Sequence, residues 1–222
     1  MRDPGERPPT QLQPPRVADA LEQRHPSALA HDASCAESEL RELSLIEQRA
    51  SGVKLEASRL VAVELARSRL QQARVLDCEF LRCDLAGVDA SGSSVARVVL
   101  DGSRVTGIQL TSARVRDLRV RECGGELASF AGAHLERVSF EGCVLVEADF
   151  LECELELVRF ERCDLSRADF RGARMRGCEL RGCELQGIHG VASLRGAALA
   201  RGDVIANAEA WATALGIETL DA

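Results

Sequence analysis

The hydrophobic positions of this chain recur every five residues. From Leu40 to Leu185 each fifth residue (Leu40, Leu45, Ala50, Leu55 and onward) continues without insertion or deletion, and of these thirty central positions only Gly125 is not apolar. All six phenylalanines, Phe80, Phe130, Phe140, Phe150, Phe160 and Phe170, occupy central positions. A second register lies two residues before each centre and holds small or β-branched side chains. Eight of the nine cysteines belong to it, Cys143, Cys163 and Cys183 among them, and Cys35 falls on the central register. Charged residues avoid both registers from Ser38 to Leu185. Glycine favours a third, two residues after the centre, as at Gly52, Gly87, Gly142 and Gly187.

Neither regular element explains this period. Five residues advance a helix by roughly 500°, so the centres would spiral around it and define no apolar face. In a strand, successive centres would alternate between faces. A turn after each short extended piece keeps every centre pointing inward, and glycine suits such turns. The chain then winds into a tube, with one pentad per wall and parallel pairing between coils about 4.8 Å apart.

Segments such as ADFLECELELVRFERCDLSRADFRGARMRGCELRGCEL resemble the pentapeptide-repeat family, over roughly Ser38 to Gly187. The resemblance implies an all-β solenoid, a right-handed quadrilateral β-helix with four pentads per coil. Thirty pentads then make about 7.5 coils, a rod of roughly 36 Å. The pentads from Leu40 to Val75 depart most from the family pattern. Arg49, Lys54, Arg59, Arg69 and Arg74 precede their centres, where the family favours Asp or Asn. With four walls, residues twenty apart stack, so Cys123, Cys143, Cys163 and Cys183 form one inward ladder. Each fills the small slot that Ala, Ser or Val fills elsewhere. A metal site would need converging thiolates or imidazoles, and no histidine shares the register.

The ends differ from the middle. All six prolines lie within the first 26 residues, and residues 1–34 are expected to form a disordered, proline-rich polar arm. The solenoid is expected over residues 35–200. Residues 201–222 are expected to hold a short capping helix, with Asp203 as N-cap, Gly216 as stop, and Val204, Ala208, Trp211 and Leu215 on one face. That face would close the tube or contact a second copy.

Composition narrows the function. No apolar run suits a secretory signal or a membrane span, so a cytoplasmic protein with reduced thiols is expected. The net charge of −7 argues against direct nucleic-acid binding. His25, His31, His134 and His189 are scattered, and a self-packed tube leaves little concave space, so neither catalysis nor a cofactor is expected. Charge is segregated along the chain: residues 97–121 sum to +4 and residues 122–164 to −8. Glu126, Glu147, Asp149, Glu152, Glu154, Glu156 and Asp164 are therefore candidates for a partner-binding acidic surface. Two readings follow, the first implied by the family resemblance and the second by the mixed charges and the proline-rich arm. One is a dimeric DNA mimic, joined through its C-terminal end, that binds a type II topoisomerase such as DNA gyrase. The other is a protein-interaction scaffold for a different partner. The arginine belt of residues 97–121 counts against the first.

Overall fold

The computed structural model describes residues 12–218. The chain forms a parallel β-solenoid of about nine turns, followed by a single C-terminal helix. Each coil takes twenty residues, so Val75 pairs with Val95, Val95 with Val115, and Val115 with Leu135, all in parallel. We number the four walls by their centres. Wall 1 runs through Val75, Val95 and Val115, wall 2 through Phe80, Leu100 and Val120, wall 3 through Leu85, Val105 and Gly125, and wall 4 through Ala90, Leu110 and Phe130. Walls 1 and 2 fuse into eight-residue strands over Arg74–Leu81, Ser94–Asp101, Arg114–Arg121 and His134–Glu141. Walls 3 and 4 pair through single bridges, such as Asp84↔Arg104 and Asp149↔Asp169.

The corner residues two after each centre adopt positive φ, as at Gly142 (61°) and Glu147 (56°). This is the conformation that the glycine register implied, and only some corners use glycine for it. Gly190 requires it more strictly. Its φ is 77°, and a Cβ there would sit 2.5 Å from the Arg171 backbone nitrogen. Gly125, the one central exception, has a different cause. A Cβ at that site would meet Leu145 at 3.0 Å and Val105 at 3.1 Å, so its larger neighbours already occupy the slot.

The centres build the core. Phe130, Phe150 and Phe170 stack on wall 4 with ring centroids 5.1 and 4.9 Å apart, and Phe140 stacks on Phe160 at 5.0 Å on wall 2. The two stacks meet edge to face across the axis, with Phe150 and Phe160 5.6 Å apart. Phe80 joins the core alone, lower on wall 2. Cys143, Cys163 and Cys183 are buried, and their thiols reach the carbonyl oxygens of Val120, Phe140 and Phe160. Burial pushes the thiol pKa of Cys78 and Cys153 up to about 12, and that of Cys123 up to about 11. All nine cysteines are free.

Of the arm expected over residues 1–34, residues 12–34 lie along the solenoid; residues 1–11 lie outside the described part. Glu22–Gln23 pairs in parallel with Ser38–Glu39, extending the solenoid below its first full pentads. Before that strand the chain descends the corner between walls 1 and 2. The Gln13 amide donates to Asp117 Oδ1 at 3.2 Å, and the Arg16 amide to Asp77 Oδ1 at 3.0 Å. Both carboxylates are buried, and each also takes an arginine from one coil above, Arg97 onto Asp77 and Arg137 onto Asp117.

At the other end Ala198–Leu199 pairs with Glu179–Leu180, and the helix spans Arg201–Ala214. Together with the arm strand, this accounts for more turns than the pentads alone would make. Asp203 is not the N-cap, a position held by Ala200. Its carboxylate instead accepts the Gly182 amide at 2.9 Å, which ties the helix to the last coil.

Candidate partner-binding surface

A four-walled tube scatters a linear stretch of charge. Of the seven candidate acids, Glu126 and Asp164 lie on wall 3, Asp149 on wall 4, and Glu154 and Glu156 on wall 1. Glu147 and Glu152 occupy the corners between these walls. The structure does not bring the seven together. Several are also engaged by arginines one coil further on: Glu147 by Arg167 at 2.9 Å, Glu154 by Arg174 at 3.0 Å and Glu156 by Arg176 at 3.0 Å. Glu154 lies 3.2 Å from His134 as well. Glu126 accepts the Thr106 hydroxyl at 2.8 Å, while Asp149 and Asp164 accept the amides of Leu151 and Ser166, each at 2.9 Å. The −8 of residues 122–164 is therefore partly offset by arginines beyond that window.

The acidic excess collects on one wall. Outward positions of wall 3 carry Glu64, Asp84, Glu126, Asp164 and Glu184, against one cation, Arg104, which pairs with Asp84. Glu64, Asp84 and Glu184 were missed in the linear sequence because they lie outside the densest acidic stretch. Apolar side chains stand among the acids. Leu127 is 56 % exposed at the corner of walls 3 and 4, with Val144 exposed on wall 3 and Leu151 on wall 4. The signal for them was present in the sequence, since each is an apolar residue in a register that otherwise faces water.

The arginine belt divides in two. Arg97, Arg104 and Arg121 pair with Asp77, Asp84 and Asp101, one coil below. Arg114, Arg116 and Arg119 make no salt bridge among the described residues. On the C-terminal helix Trp211 packs against the core, whereas Val204 is 41 % and Leu215 50 % exposed, and Ala208 is exposed too. The face turned to the tube is instead Asp203, Asn207 and Trp211. Among the described residues, no three His, Cys, Asp or Glu side chains converge as a metal site would need, and no helix is long and apolar enough to cross a membrane.

The family model for the pentapeptide repeat region matches residues 73–150 and 126–189, more than half of the chain. The chain belongs to the pentapeptide-repeat family. Among solved structures it is similar to two trypsin-treated variants of QnrB1, a plasmid-mediated fluoroquinolone resistance protein. Both are 16 % identical to it, with a TM-score of 0.53. One alignment covers 87 % of this chain and 99 % of QnrB1, the other 91 % and 100 %. No curated protein matches the sequence. At this identity the likeness establishes the pentapeptide-repeat fold.

Proposed function

We propose that this pentapeptide-repeat protein is a non-catalytic, protein-binding rod whose wall 3 docks a basic surface, and that DNA gyrase is the first partner to test. The observation that carries the reading is the set Glu64, Asp84, Glu126, Asp164 and Glu184 on a single wall. From Glu64 to Glu184 this row spans six coils, about 29 Å at ~4.8 Å each. Its charge density is well below that of duplex DNA, which carries one charge per about 1.7 Å. Wall 3 thus offers an acidic stripe to a cationic protein surface more than a copy of both phosphate strands. Of the candidate acids chosen from the sequence, Glu126 and Asp164 contribute to it directly, and Glu147 lies at its edge.

The exposed Val204, Ala208 and Leu215 support pairing of two copies through the C-terminal end, which would lengthen the stripe. Leu127, Val144 and Leu151 favour the alternative of a scaffold for another partner, because apolar groups amid charge are typical of protein interfaces. Supercoiling by purified gyrase is the discriminating assay. Inhibition by the wild type that is lost in Glu126→Lys/Asp164→Lys/Glu184→Lys supports the gyrase reading. No inhibition at high protein concentration sinks it. If a pull-down still captures a partner that the triple variant loses, the scaffold reading stands.

A further inference from the structure

The tube is not filled evenly along its axis. Phenyl rings pack it from Phe130 to Phe170. Lower down, Leu70, Val75, Ala90, Val95 and Leu100 point inward yet keep accessible surface. They border an axial cavity of about 110 Å³ lined entirely by apolar side chains, from Leu29 and Leu40 at one end to Leu118 at the other. That distance is four coils, about 19 Å. Ala90 explains much of the void, because it stands two coils below Phe130 in the column that Phe150 and Phe170 continue. Below, the cavity meets a second hollow of about 440 Å³, bordered by Glu22, Arg24, His25 and Pro26. Leu29, Leu40, Val53 and Leu55 border both spaces.

We propose that this axial cavity binds a medium-chain aliphatic carboxylate, its tail along the axis and its head among Arg24 and His25. An apolar cavity of this size offers water no partners and accepts apolar guests. Since an apolar cavity of about 150 Å³ accepts the six carbons of benzene, this one holds roughly four methylenes, with the carbons nearest the head in the hollow below. The mouth supplies the opposite chemistry to the tunnel. The exposed Arg24 guanidinium pairs with Glu22 at 3.2 Å, and exposed pairs of this kind exchange partners at little cost. His25 is exposed beside it. Leu29 is one of the four residues that line both spaces, and its amide donates to Gln48 Oε1 at 2.9 Å.

Titration of the full-length protein with octanoate by calorimetry tests this, beside butanoate, hexanoate and 1-octanol. Affinity should rise about fourfold per methylene up to roughly six carbons and level off towards octanoate. Ala90→Phe, with its fold checked by circular dichroism, should abolish binding. Arg24→Ala should weaken octanoate at least fivefold and leave 1-octanol unchanged. The wild-type chain-length series decides the matter even if Ala90→Phe does not fold. Absence of saturable octanoate binding at millimolar concentration, affinity independent of chain length, or a folded Ala90→Phe that binds as the wild type does would each overturn the proposal. Equal loss of octanoate and octanol in Arg24→Ala would overturn the assignment of the head group.

Discussion

Phe150 is fully buried, stacked between Phe130 and Phe170 and edge-on to Phe140 and Phe160. Its truncation leaves a hole that close-packed neighbours cannot refill. Phe150→Ala should therefore cost about 3–5 kcal/mol, and Leu100→Ala, beside the existing cavity, about 2 kcal/mol, at the low end for such changes. Urea unfolding of the two variants checks the order; equal costs would contradict it. The cysteines allow a chemical test of the same packing. Eight are buried and only Cys35 is half-exposed. Burial also keeps the thiols of Cys78, Cys123 and Cys153 protonated at neutral pH, and alkylation needs the thiolate. Iodoacetamide should label the native protein once, at Cys35, and all nine sites in denaturant, as mass spectrometry would count. Rapid native labelling of Cys143 or Cys163 would mean that the ladder is not closed.

The arm shows how one element binds another through groups that leave no trace in a hydrophobic pattern. Gln13 and Arg16 are held by their backbone amides, which any residue but proline could provide. Residues 12–34 were illegible for that reason, while the pentads were plain because every coil repeats one packing environment. The helix was half legible. Trp211 packs on the core while Val204, Ala208 and Leu215 are exposed, because the Asp203 bond to Gly182 turns the side with Asp203, Asn207 and Trp211 to the tube. The candidate acids suffered from reading charge along the chain, when a twenty-residue index sorts Glu126 and Asp164 from Glu154 and Glu156. The arm also carries a pH prediction. Arg97 holds Asp77 below the usual carboxylate pKa, with the Arg16 amide assisting. Burial, the largest influence on Asp117, pushes it up, but Arg137, the Gln13 amide and Arg116 together outweigh burial and leave it lowered. A depressed carboxylate contributes stability above its unfolded-state value of about 3.9, and that contribution disappears as pH falls through the lower folded value. The arm should stay docked at neutral pH and detach only in strong acid. At pH 7, Asp117→Asn should weaken it by about 1–3 kcal/mol. Amide NMR signals of Gln13 and Arg16 report both effects, and an unchanged Gln13 in Asp117→Asn would contradict the bond.

Stability in a solenoid is close to a sum over neighbouring coils, so an uneven core makes an uneven rod. The upper coils carry the phenyl stacks, while the lower ones surround about 110 Å³ of void. At about 24 cal/mol per Å³ of cavity, that void is worth about 2.6 kcal/mol. If the coils from Leu40 to Val120 open together, the whole of that deficit falls on one event and lowers its free energy relative to opening of the coils from Phe130 to Phe170. Hydrogen exchange resolves such differences amide by amide. Ladder amides at Leu65, Leu70 and Leu85, which donate to Asp84, Asp89 and Arg104, should exchange about a hundredfold faster than those at Leu145, Phe150 and Leu165, since each 1.4 kcal/mol is a factor of ten. Ala90→Phe extends the wall 4 column downward and should narrow the gap. Asp117→Asn, which loosens the arm without touching the core, should speed exchange along the corner of walls 1 and 2 and leave Leu85 unchanged. Uniform exchange from Leu65 to Leu165 would show that the coils open as one unit and that the cavity has no mechanical consequence.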